Sequence, residues 1–407
     1  MANVSSSNGI EKYPKLRFPE FIDPWETTQL CNLFSKNTQK NSKGTVTNVI
    51  SNSAKNGLIP QKDYFDKDIA NADNTAGYYI ISKNDFVYNP RKSTDAPYGP
   101  ISRYTYDEDG IVSPLYLCFR GNNDVNPEYF ERFFKSSVWH RYIYMSGDSG
   151  ARHDRVSIKD ETFFEMPIHM PSNEEQQKIA AFLSLIEQKI EYQSALVENL
   201  KKYKRGAINN IFNGYAFDEY VHECLLSDVA SFHQGLTYSP EDVSDTGYLV
   251  MRSSNIQNGR LSFADNVYVN KSISESLFVQ ENDVLMCVRN GSKQLVGKTA
   301  IVNQPYSNMT WGAFMMIIRS KLKNTFVYHY LNSDSFFNQV FKDTGTATIN
   351  QITKGTLNEC RLFMPKPEQQ ECICKYLDLL DEKLHKEEDF LESLKLLKKS
   401  LLQHLFI

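Results

Sequence analysis

Residues 290–300, "NGSKQLVGKTA", contain the residue types of a phosphate-binding loop. Such a loop has four residues between its first glycine and the Gly-Lys pair, because successive backbone amides must surround one phosphate before a helix begins. Here Gly291 and Gly297 enclose five residues. β-branched residues follow, and Pro305 then breaks the pattern, so no helix is expected after the loop. We therefore predict a β-hairpin with a polar, basic tip at this position.

Other catalytic patterns are also incomplete in this sequence. An adenine methyltransferase holds its flipped base with an Asn/Asp-Pro-Pro-aromatic loop. The two nearest strings, "YNPRK" at Tyr88 and "VNPEY" at Val125, both lack the second proline. A nuclease needs clustered carboxylates with a lysine, and the acidic string "YTYDEDG" around Asp107 is more typical of a turn. The sequence therefore favours a binding protein without catalytic residues of its own.

Cysteine spacing and net charge bear on metal binding and on nucleic-acid binding. The seven cysteines form no CxxC pair, and Cys372 and Cys374 point to different faces of a helical pattern, so we expect reduced thiols and no metal site. The net charge of −4 disfavours a protein that coats nucleic acid unaided. Local basic segments remain, in "SKNTQKNSKG", "ARHDRVSIK" and "KKYKR". The N-terminal residues contain no apolar stretch typical of a secretory signal, and the apolar runs are too short to span a bilayer. We therefore expect a cytoplasmic protein.

A gapless internal repeat defines the architecture. The string "MPSNEEQQKIAAFLSLIEQKIEYQSALVENLKKYKRGAINNIF" from Met170 aligns with "MPKPEQQECICKYLDLLDEKLHKEEDFLESLKLLKKSLLQHLF" from Met364. Each copy begins with proline and acidic or amide residues and then repeats apolar residues at spacings of three and four, which predicts two helices of roughly 60 Å. A compact domain separates the copies, so we expect antiparallel coiled-coil pairing. Independent packing of the two helices on separate domains remains the alternative.

The segments before the helices match more loosely. "ISKNDFVYNP" around Asp85 corresponds to "VQENDVLMCVR" around Asp283, and "SPLYLCFR" and "SGARHDRVSIKD" correspond to "GAFMMIIR" and "TGTATINQITKG". The predicted fold is α+β, with duplicated mixed α/β domains at 1–171 and 215–365 and long helices at 172–214 and 366–407. In the first half, "NPRKSTDAPYGPISRY" keeps the basic hairpin but has no Gly-Lys-Thr. A duplicated scaffold with different tips indicates two readers of different targets.

This chain resembles the specificity subunit of type I restriction-modification systems. The resemblance covers nearly the whole chain and rests on "YPKLRFPEF" followed by Trp25 and Leu30, on the helix starts "EEQQKIAAFL" and "EQQECICKYL", and on the duplication. The second domain lacks an equivalent of "LRFPEF".

The resemblance implies that each globular half is a target-recognition domain that reads one half of a split double-stranded DNA sequence. It implies that the helices act as a spacer and dock two modification (methyltransferase) subunits, which methylate adenine at N6 with S-adenosylmethionine. Restriction subunits add ATP-dependent cleavage with Mg²⁺. The cofactors are therefore expected on partner subunits, and this chain is expected to be non-catalytic. The alternative is a coiled-coil scaffold whose two β-rich domains bind proteins.

Base edges are read best by Arg, Lys, Asn and Gln, while phosphate contacts set the register. In the first domain we predict DNA contacts from Lys40, Lys43, Tyr88, Arg91, Lys92, Arg103, Arg152 and Arg155. In the second domain we predict them from Thr237, Tyr238, Arg289, Asn290, Lys293, Gln294, Lys298, Thr346 and Asn350. Partner subunits are expected to contact the helix starts at Gln176, Gln177, Ile179, Phe182, Gln370, Ile373 and Tyr376. For each DNA-contact residue, a solvated loop is the alternative.

Overall fold

The computed structural model describes residues 2–3, 13–63, 75–147, 154–213, 222–304, 306, 308–342 and 351–407. The chain divides into two compact units. Unit 1 contains Met1–Gln193 and Phe390–Ile407, and unit 2 contains Ser194–Asp389. Each unit therefore combines one of the duplicated domains with a segment of each long helix.

Unit 1 is built from short strands and short helices that precede a long helix. Its described strands are β1 (Ala2–Asn3), β2 (Leu16–Arg17), β3 (Glu26–Gln29), β4 (Phe34–Lys36), β5 (Ile50–Ser53), β6 (Gly57–Pro60), β7 (Tyr79–Ile81), β8 (Phe86–Tyr88), β9 (Ile101–Arg103), β10 (Gly110–Val112), β11 (Leu117–Gly121) and β12 (Pro167–Met170). Its described helices are α1 (Leu30–Leu33), α2 (Pro127–Lys135), α3 (His140–Ser146), α4 (Asp160–Phe164) and the first part of α5 (Asn173–Phe212).

An antiparallel sheet in the order β4-β11-β8-β9 forms the centre of unit 1. Strand β8 is buried along its whole length, as expected for an apolar strand covered on both faces. Phe86 lies directly opposite Phe119 in the ladder, and their rings stack with centroids 5.6 Å apart. Phe34 packs edge-on against both rings, at 5.5 and 5.3 Å. The core beside this sheet is therefore largely aromatic, with the geometry that aromatic pairs prefer.

Unit 2 repeats this plan. Its described strands are β13 (His222–Leu225), β14 (Ala230–Gln234), β15 (Val243–Ser244), β16 (Tyr248–Met251), β17 (Ile256–Gln257), β18 (Arg260–Leu261), β19 (Tyr268–Val269), β20 (Val284–Cys287), β21 (Thr299–Ile301), β22 (Met309–Trp311), β23 (Met315–Ser320) and β24 (Arg361–Met364). Its described α-helices are the second part of α5, α6 (Leu226–Val229), α7 (Phe326–Tyr330), α8 (Asp334–Val340), α9 (Lys354–Glu359) and the first part of α10 (Pro367–His404).

The central sheet of unit 2 has the order β14-β23-β20-β21, which matches β4-β11-β8-β9 strand for strand. A second sheet, β15-β19-β16-β22, contains one parallel pair, β16 with β22. The core of unit 2 is richer in aliphatic side chains, with Met286, Ile318 and Leu331 fully buried. The same backbone plan therefore accommodates two different sets of core side chains, as cores generally do when volume is kept.

A tight Asn-Asp turn, whose buried aspartate forms an ion pair, precedes the central hairpin in both units, which is β8–β9 in unit 1 and β20–β21 in unit 2. Asn84 and Asn282 have φ angles of 72° and 66°, a left-handed conformation that asparagine tolerates. The next residue in unit 1, Asp85, is fully buried and accepts two hydrogen bonds from the Arg120 guanidinium, at 2.6 and 2.8 Å.

Unit 2 repeats this ion pair. The guanidinium of Arg319 donates to the fully buried carboxylate of Asp283 through two bonds of 2.7 Å. Both aspartates also accept a backbone N–H from their own turn, at 2.9 Å from Ser82 and 2.7 Å from Gln280. Each aspartate thus fixes its turn to the neighbouring strand, β11 or β23.

The long helices run antiparallel within each unit. In unit 1, Glu187 of α5 pairs with Lys398 of α10 at 2.8 Å, and Leu183 shares a core with Leu405. In unit 2, Lys201 of α5 pairs with Glu388 at 2.6 Å.

Further along α5 in unit 2, Lys204 pairs with Asp381, and Phe212 shares a core with Leu377. Partner positions on α10 fall as positions on α5 rise, so the pairing is antiparallel. The predicted fold class of duplicated mixed domains with antiparallel long helices is confirmed.

The N-terminal segment of unit 1 is held against the start of α5. Arg17 donates two hydrogen bonds of 2.8 Å to the buried carboxylate of Glu175, and the Trp25 indole donates a third at 3.1 Å. The repeat places Gln369 at the position equivalent to Glu175 in the second copy. An amide cannot form an ion pair with arginine, which fits the missing "LRFPEF" string in the second half.

Removing the arginine of this ion pair should destabilise unit 1 more than removing the aspartate. Arg120→Met leaves a fully buried carboxylate without its guanidinium, so we expect the free energy of unfolding to fall by about 3 kcal/mol. Asp85→Asn leaves a half-exposed guanidinium that water can solvate, and we expect a loss of about 1 kcal/mol. Urea denaturation with hydrogen exchange at β8 and β11 measures both losses.

The exposed pair Lys83–Asp107 provides a matched control. Lys83→Met should cause no measurable loss, because exposed pairs contribute little. Losses as small as that of Lys83→Met for both Arg120→Met and Asp85→Asn would show that the turn does not depend on the ion pair.

Candidate nucleic-acid interface

The central hairpin of each unit is anchored at its base by a second segment. In unit 1, Arg91 forms an isolated antiparallel bridge with Arg155, and the Val156 N–H donates to the Pro90 carbonyl at 2.8 Å. In unit 2, Arg289 forms the same bridge with Gln351. We call these surfaces the hairpin edges, comprising residues 89–100 and 154–156 in unit 1 and residues 288–298 and 351–352 in unit 2.

The hairpin edge of unit 1 is basic. Arg91 and Lys92 are exposed, Arg155 is half-buried, and none of the three has an ion pair within the described part of the chain. Tyr116 lies close by: burial raises its pKa, and the charges of Arg155 and Arg91 oppose that rise. The Nε of Arg155 is buried without a hydrogen-bond partner among the described residues. Guanidinium groups that lack an ion pair are suited to phosphate or base acceptors.

The hairpin edge of unit 2 has a different set of side chains. The Arg289 guanidinium lies over the Phe314 ring at 5.3 Å, and the Lys293 ammonium lies 5.9 Å from the Phe341 ring centroid. Gln294 is exposed and Lys298 is half-buried. The edge therefore presents cations and an amide in place of the Arg91–Arg155 pair.

The Gly-Lys-Thr string lies in this edge and forms a hairpin. Gly297 has φ +88°, and a Cβ at this position would lie 2.5 Å from the Phe337 ring, so the position requires glycine. The next element is strand β21, antiparallel to β20, with no helix N-terminus to hold a phosphate. The predicted hairpin is confirmed.

A groove beside the unit 2 edge brings together three of the predicted residues. Thr237, Tyr238 and Asn290 line a groove of about 770 Å³ that also contains Phe314 and Arg252. The Asn290 amide donates to the Ser253 hydroxyl at 3.3 Å. The Nε of Arg252 and the Oγ of Ser254 are buried without a hydrogen-bond partner in the described residues. Unmet donors in an aromatic-walled groove suit a polar, planar ligand.

Other predicted DNA contacts in unit 1 lie apart from the edge. Arg103 pairs with Glu131 at 2.8 Å and donates to the Asn84 side chain at 2.9 Å, so its guanidinium serves the fold. Lys40 and Lys43 are exposed on a loop that the Asn41 N–H fixes to the Tyr78 carbonyl at 2.9 Å. These two lysines stay predictions.

The structure corrects the prediction for Tyr88. Its side chain is fully buried, its hydroxyl donates to the Tyr98 carbonyl at 2.8 Å, and its ring stacks on Phe163 with centroids 5.3 Å apart. Tyr88 is therefore a core residue of β8 and cannot contact DNA. The polar string "YNPRK" suggested a loop, whereas the strand continues through its tyrosine.

Three predicted partner contacts were also wrong. Gln176 and Gln370 are buried, and their amides donate to the Pro171 and Pro365 carbonyls at 3.0 and 2.7 Å, so they fix the two helix starts. Ile179 is buried in the core of unit 1. None of the three side chains reaches the surface where a partner could bind.

The other predicted partner and DNA contacts stay predictions. Gln177 and Tyr376 are exposed, Phe182 packs half-buried against the Phe18 ring at 5.7 Å, and Ile373 is half-buried. Arg152, Thr346 and Asn350 lie outside the described residues.

Sequence reasoning missed Tyr116, Leu115 and Phe314, which flank the edges. Their position in the matched strings "SPLYLCFR" and "GAFMMIIR" was the available signal.

The described residues contain neither a metal-binding cluster nor a membrane-spanning helix. Across that part of the chain, no group of three or more His, Cys, Asp or Glu side chains is placed to hold a metal ion. No helix there is both long enough and apolar enough to cross a bilayer.

Fold and site together define a duplicated protein with a basic hairpin edge on the first unit and a mixed cationic and amide edge on the second. The chain belongs to the type I restriction modification DNA specificity domain family, whose model matches residues 24–202 and 221–395. The family resemblance deduced from the sequence is confirmed.

Curated relatives and solved structures agree with this membership. The chain is 28% identical over 162 residues to the type I restriction enzyme EcoKI specificity subunit of Escherichia coli (strain K12), and it has the same identity over the same length to the StySPI specificity subunit of Salmonella potsdam. Each match covers 38% of this chain and 35% of the relative, so it spans about a third of the relative's length.

The type I restriction-modification S subunit from M. genitalium has a similar fold, with a TM-score of 0.54 and 18% identity over 97% of this chain and 99% of that one. A chain from a structure of type I R-M complex assembly and conformational transition gives a TM-score of 0.58 and 16% identity, over 93% and 96% of the two chains.

Cations at the hairpin edge should affect DNA binding without affecting stability. Arg91→Gln with Lys92→Gln should weaken binding of duplex DNA. We expect the slope of log affinity against log salt to fall by about 1 for each phosphate that the variant no longer neutralises. Filter binding at several salt concentrations measures the slope.

Arg103→Gln is the matched control, because Arg103 pairs with Glu131 within unit 1. It should lower the melting temperature of the chain and leave the salt slope unchanged. The reverse pattern, in which the Arg103 variant changes the slope and the edge variant does not, would contradict the assignment of the interface.

Proposed function

We propose that this chain is the sequence-reading subunit of a type I restriction-modification complex, and that each unit reads one half of a split DNA site through its hairpin edge. The observation that carries the proposal is one backbone plan with two sets of edge side chains. Arg91, Lys92 and Arg155 in unit 1 stand where unit 2 has Arg289, Asn290 and Gln351. Two arginines suit the acceptors of guanine, whereas asparagine and glutamine suit adenine, so the two edges fit different base sequences.

In this proposal the chemistry belongs to partner subunits. Modification subunits bind S-adenosylmethionine and methylate adenine at N6, and restriction subunits use ATP and Mg²⁺ to cleave unmethylated DNA. The present chain contributes recognition without catalysis, in the cytoplasm. Its net charge of −4 supports a division of labour in which partners supply much of the phosphate contact, so the chain alone should bind DNA weakly.

A repeated apolar surface on the long helices supports docking of two identical modification subunits. Leu185 of α5 and Leu379 of α10 occupy equivalent positions of the repeat and are 63% and 56% exposed. Phe182 and Tyr376, three residues earlier, are also equivalent. Each unit thus presents an aromatic side chain and a leucine one helical turn apart, a spacing that places them on the same helix face. We propose one modification subunit on each of these two surfaces.

Exchanging one domain should change one half of the methylated sequence. Replacement of residues 25–170 by the matching domain of a family member should alter one half-sequence and preserve the other, because each edge is built within its own unit. Single-molecule sequencing of N6-methyladenine in cells that express the chimaera with its modification subunit provides the measurement.

The reciprocal exchange of residues 222–364 is the control and should alter the opposite half-sequence. A single exchange that altered both half-sequences would contradict the two-reader function. Salt-dependent binding to a subset of DNA sequences separates this function from a protein-binding scaffold, which would show no such preference.

A further inference from the structure

A large apolar side chain is exposed beside the hairpin edge of each unit. Leu115, in the turn between β10 and β11, is 60% exposed, and Phe314, in the turn between β22 and β23, is 59% exposed. Single exposed apolar residues are common on protein surfaces and need no explanation on their own. The position of these two side chains is what gives them significance.

Both residues occupy the same place in the duplicated fold. Leu115 lies five residues before Arg120 of the buried ion pair, and Phe314 lies five residues before Arg319. In the ladder, Leu117 is opposite Tyr88, three residues before Arg91, and Leu115 lies in the turn two residues before Leu117. The duplication therefore keeps an apolar side chain at this point of both units.

The register in unit 2 is equivalent. Met315 is opposite Cys287, which places Phe314 across from Val288, and the Val288 and Arg289 N–H groups both donate to the Phe314 carbonyl, at 3.0 and 3.2 Å. Phe314 therefore lies against the hairpin edge of unit 2, and Leu115 occupies the equivalent position of the duplicated fold in unit 1.

The two turns are held by hydrogen bonds. The Tyr116 N–H donates to the Ser113 carbonyl at 3.0 Å, and the Leu115 N–H donates to the Ser113 hydroxyl at 3.3 Å. In unit 2 the Met315 N–H donates to the Gly312 carbonyl at 2.8 Å. A fixed backbone presents the apolar side chain outward, so the entropy cost is small when this side chain enters a binding partner.

Cations lie close to both turns. The Arg289 guanidinium lies over the Phe314 ring, and the charges of Arg155 and Arg91 act on Tyr116, the neighbour of Leu115. An apolar side chain flanked by cations matches DNA, in which apolar base faces lie between rows of phosphates. Leucine and phenylalanine are both among the side chains that proteins insert between base pairs.

The polar and apolar residues of the edges differ in how they are repeated, and this difference indicates the role of the apolar residues. Polar side chains differ between the units, as they must if they read different sequences, whereas the apolar position recurs. An apolar side chain makes no directional hydrogen bond, so a feature common to both units serves a sequence-independent purpose. We propose that Leu115 and Phe314 are wedges that insert between adjacent base pairs of the half-site bound by their unit and unstack that step. This inference rests on the proposed DNA-reading function.

Fluorescence of 2-aminopurine, which increases on unstacking, tests the wedges. The probe replaces adenines other than the methylated ones, one at a time, in duplexes that carry the methylated sequence, because a flipped target base would also increase the fluorescence. The chain is assembled with its modification subunits. We expect a rise at one step in each half-site. Leu115→Ala should abolish the rise in the half-site of unit 1 alone, and Phe314→Ala in that of unit 2 alone. Each should weaken binding by about tenfold, because alanine buries much less apolar surface against the bases.

Conservative and surface variants complete the design. Phe314→Leu and Leu115→Phe should keep the fluorescence rise, because each substitutes one wedge residue for the other. Ile22→Ala and Leu225→Ala remove other exposed apolar side chains, one from each unit, and should match the unchanged chain. Circular dichroism melts confirm that every variant is folded.

Two negative outcomes are distinguishable. Sequence-specific binding without any fluorescence rise, or a rise that persists in both alanine variants, would overturn the wedges and leave the reading function intact. Absence of any sequence preference in the assembled complex would overturn the reading function, and the wedges with it.

Discussion

The buried Asp–Arg pair is the interaction on which each unit depends. A carboxylate with no exposed surface is strongly unfavourable unless charged donors surround it. Asp85 and Asp283 each satisfy this requirement with two guanidinium bonds and one turn amide, and the Asn37 side-chain amide donates a further bond of 3.1 Å to Asp85. Because the aspartate belongs to the turn that starts β8 or β20 and the arginine belongs to β11 or β23, the pair fixes the register between β8 and β11 in unit 1 and between β20 and β23 in unit 2. The hairpin edges and the apolar turns beside them inherit their positions from that register.

Local patterns in the sequence predict the long helices and their antiparallel pairing well. Heptad-like spacing and the gapless repeat define both, because a helix of this length needs an apolar partner along its stripe. The correspondence of Asp85 with Asp283 was also visible, because the strings around the two aspartates match. The hairpin identity of residues 290–300 followed from the glycine spacing together with the β-branched residues and Pro305 that follow.

The failures concern residues whose role depends on distant partners. Tyr88 looked like a loop residue because its neighbours are polar, yet the Phe163 ring covers it from 75 positions away in the sequence. Gln176 and Gln370 had the polarity of surface residues, but each donates from its side-chain amide to the carbonyl of the proline that precedes its helix. Arg103 had the right chemistry for DNA and is used by Glu131 instead. The charge or polarity of a residue does not show whether another residue of the folded chain already pairs with it.

The central claim is that each unit contacts one half-site through its own hairpin edge. Photocrosslinking of 5-bromouracil-substituted duplexes to the assembled complex, followed by mass spectrometry of the crosslinked peptides, tests this claim directly. Substitution in one half-site should yield peptides from residues 89–100 or 154–156, and substitution in the other should yield peptides from residues 288–298 or 351–352. Crosslinks from both half-sites to a single unit, or to α5 and α10 in place of the edges, would contradict the account.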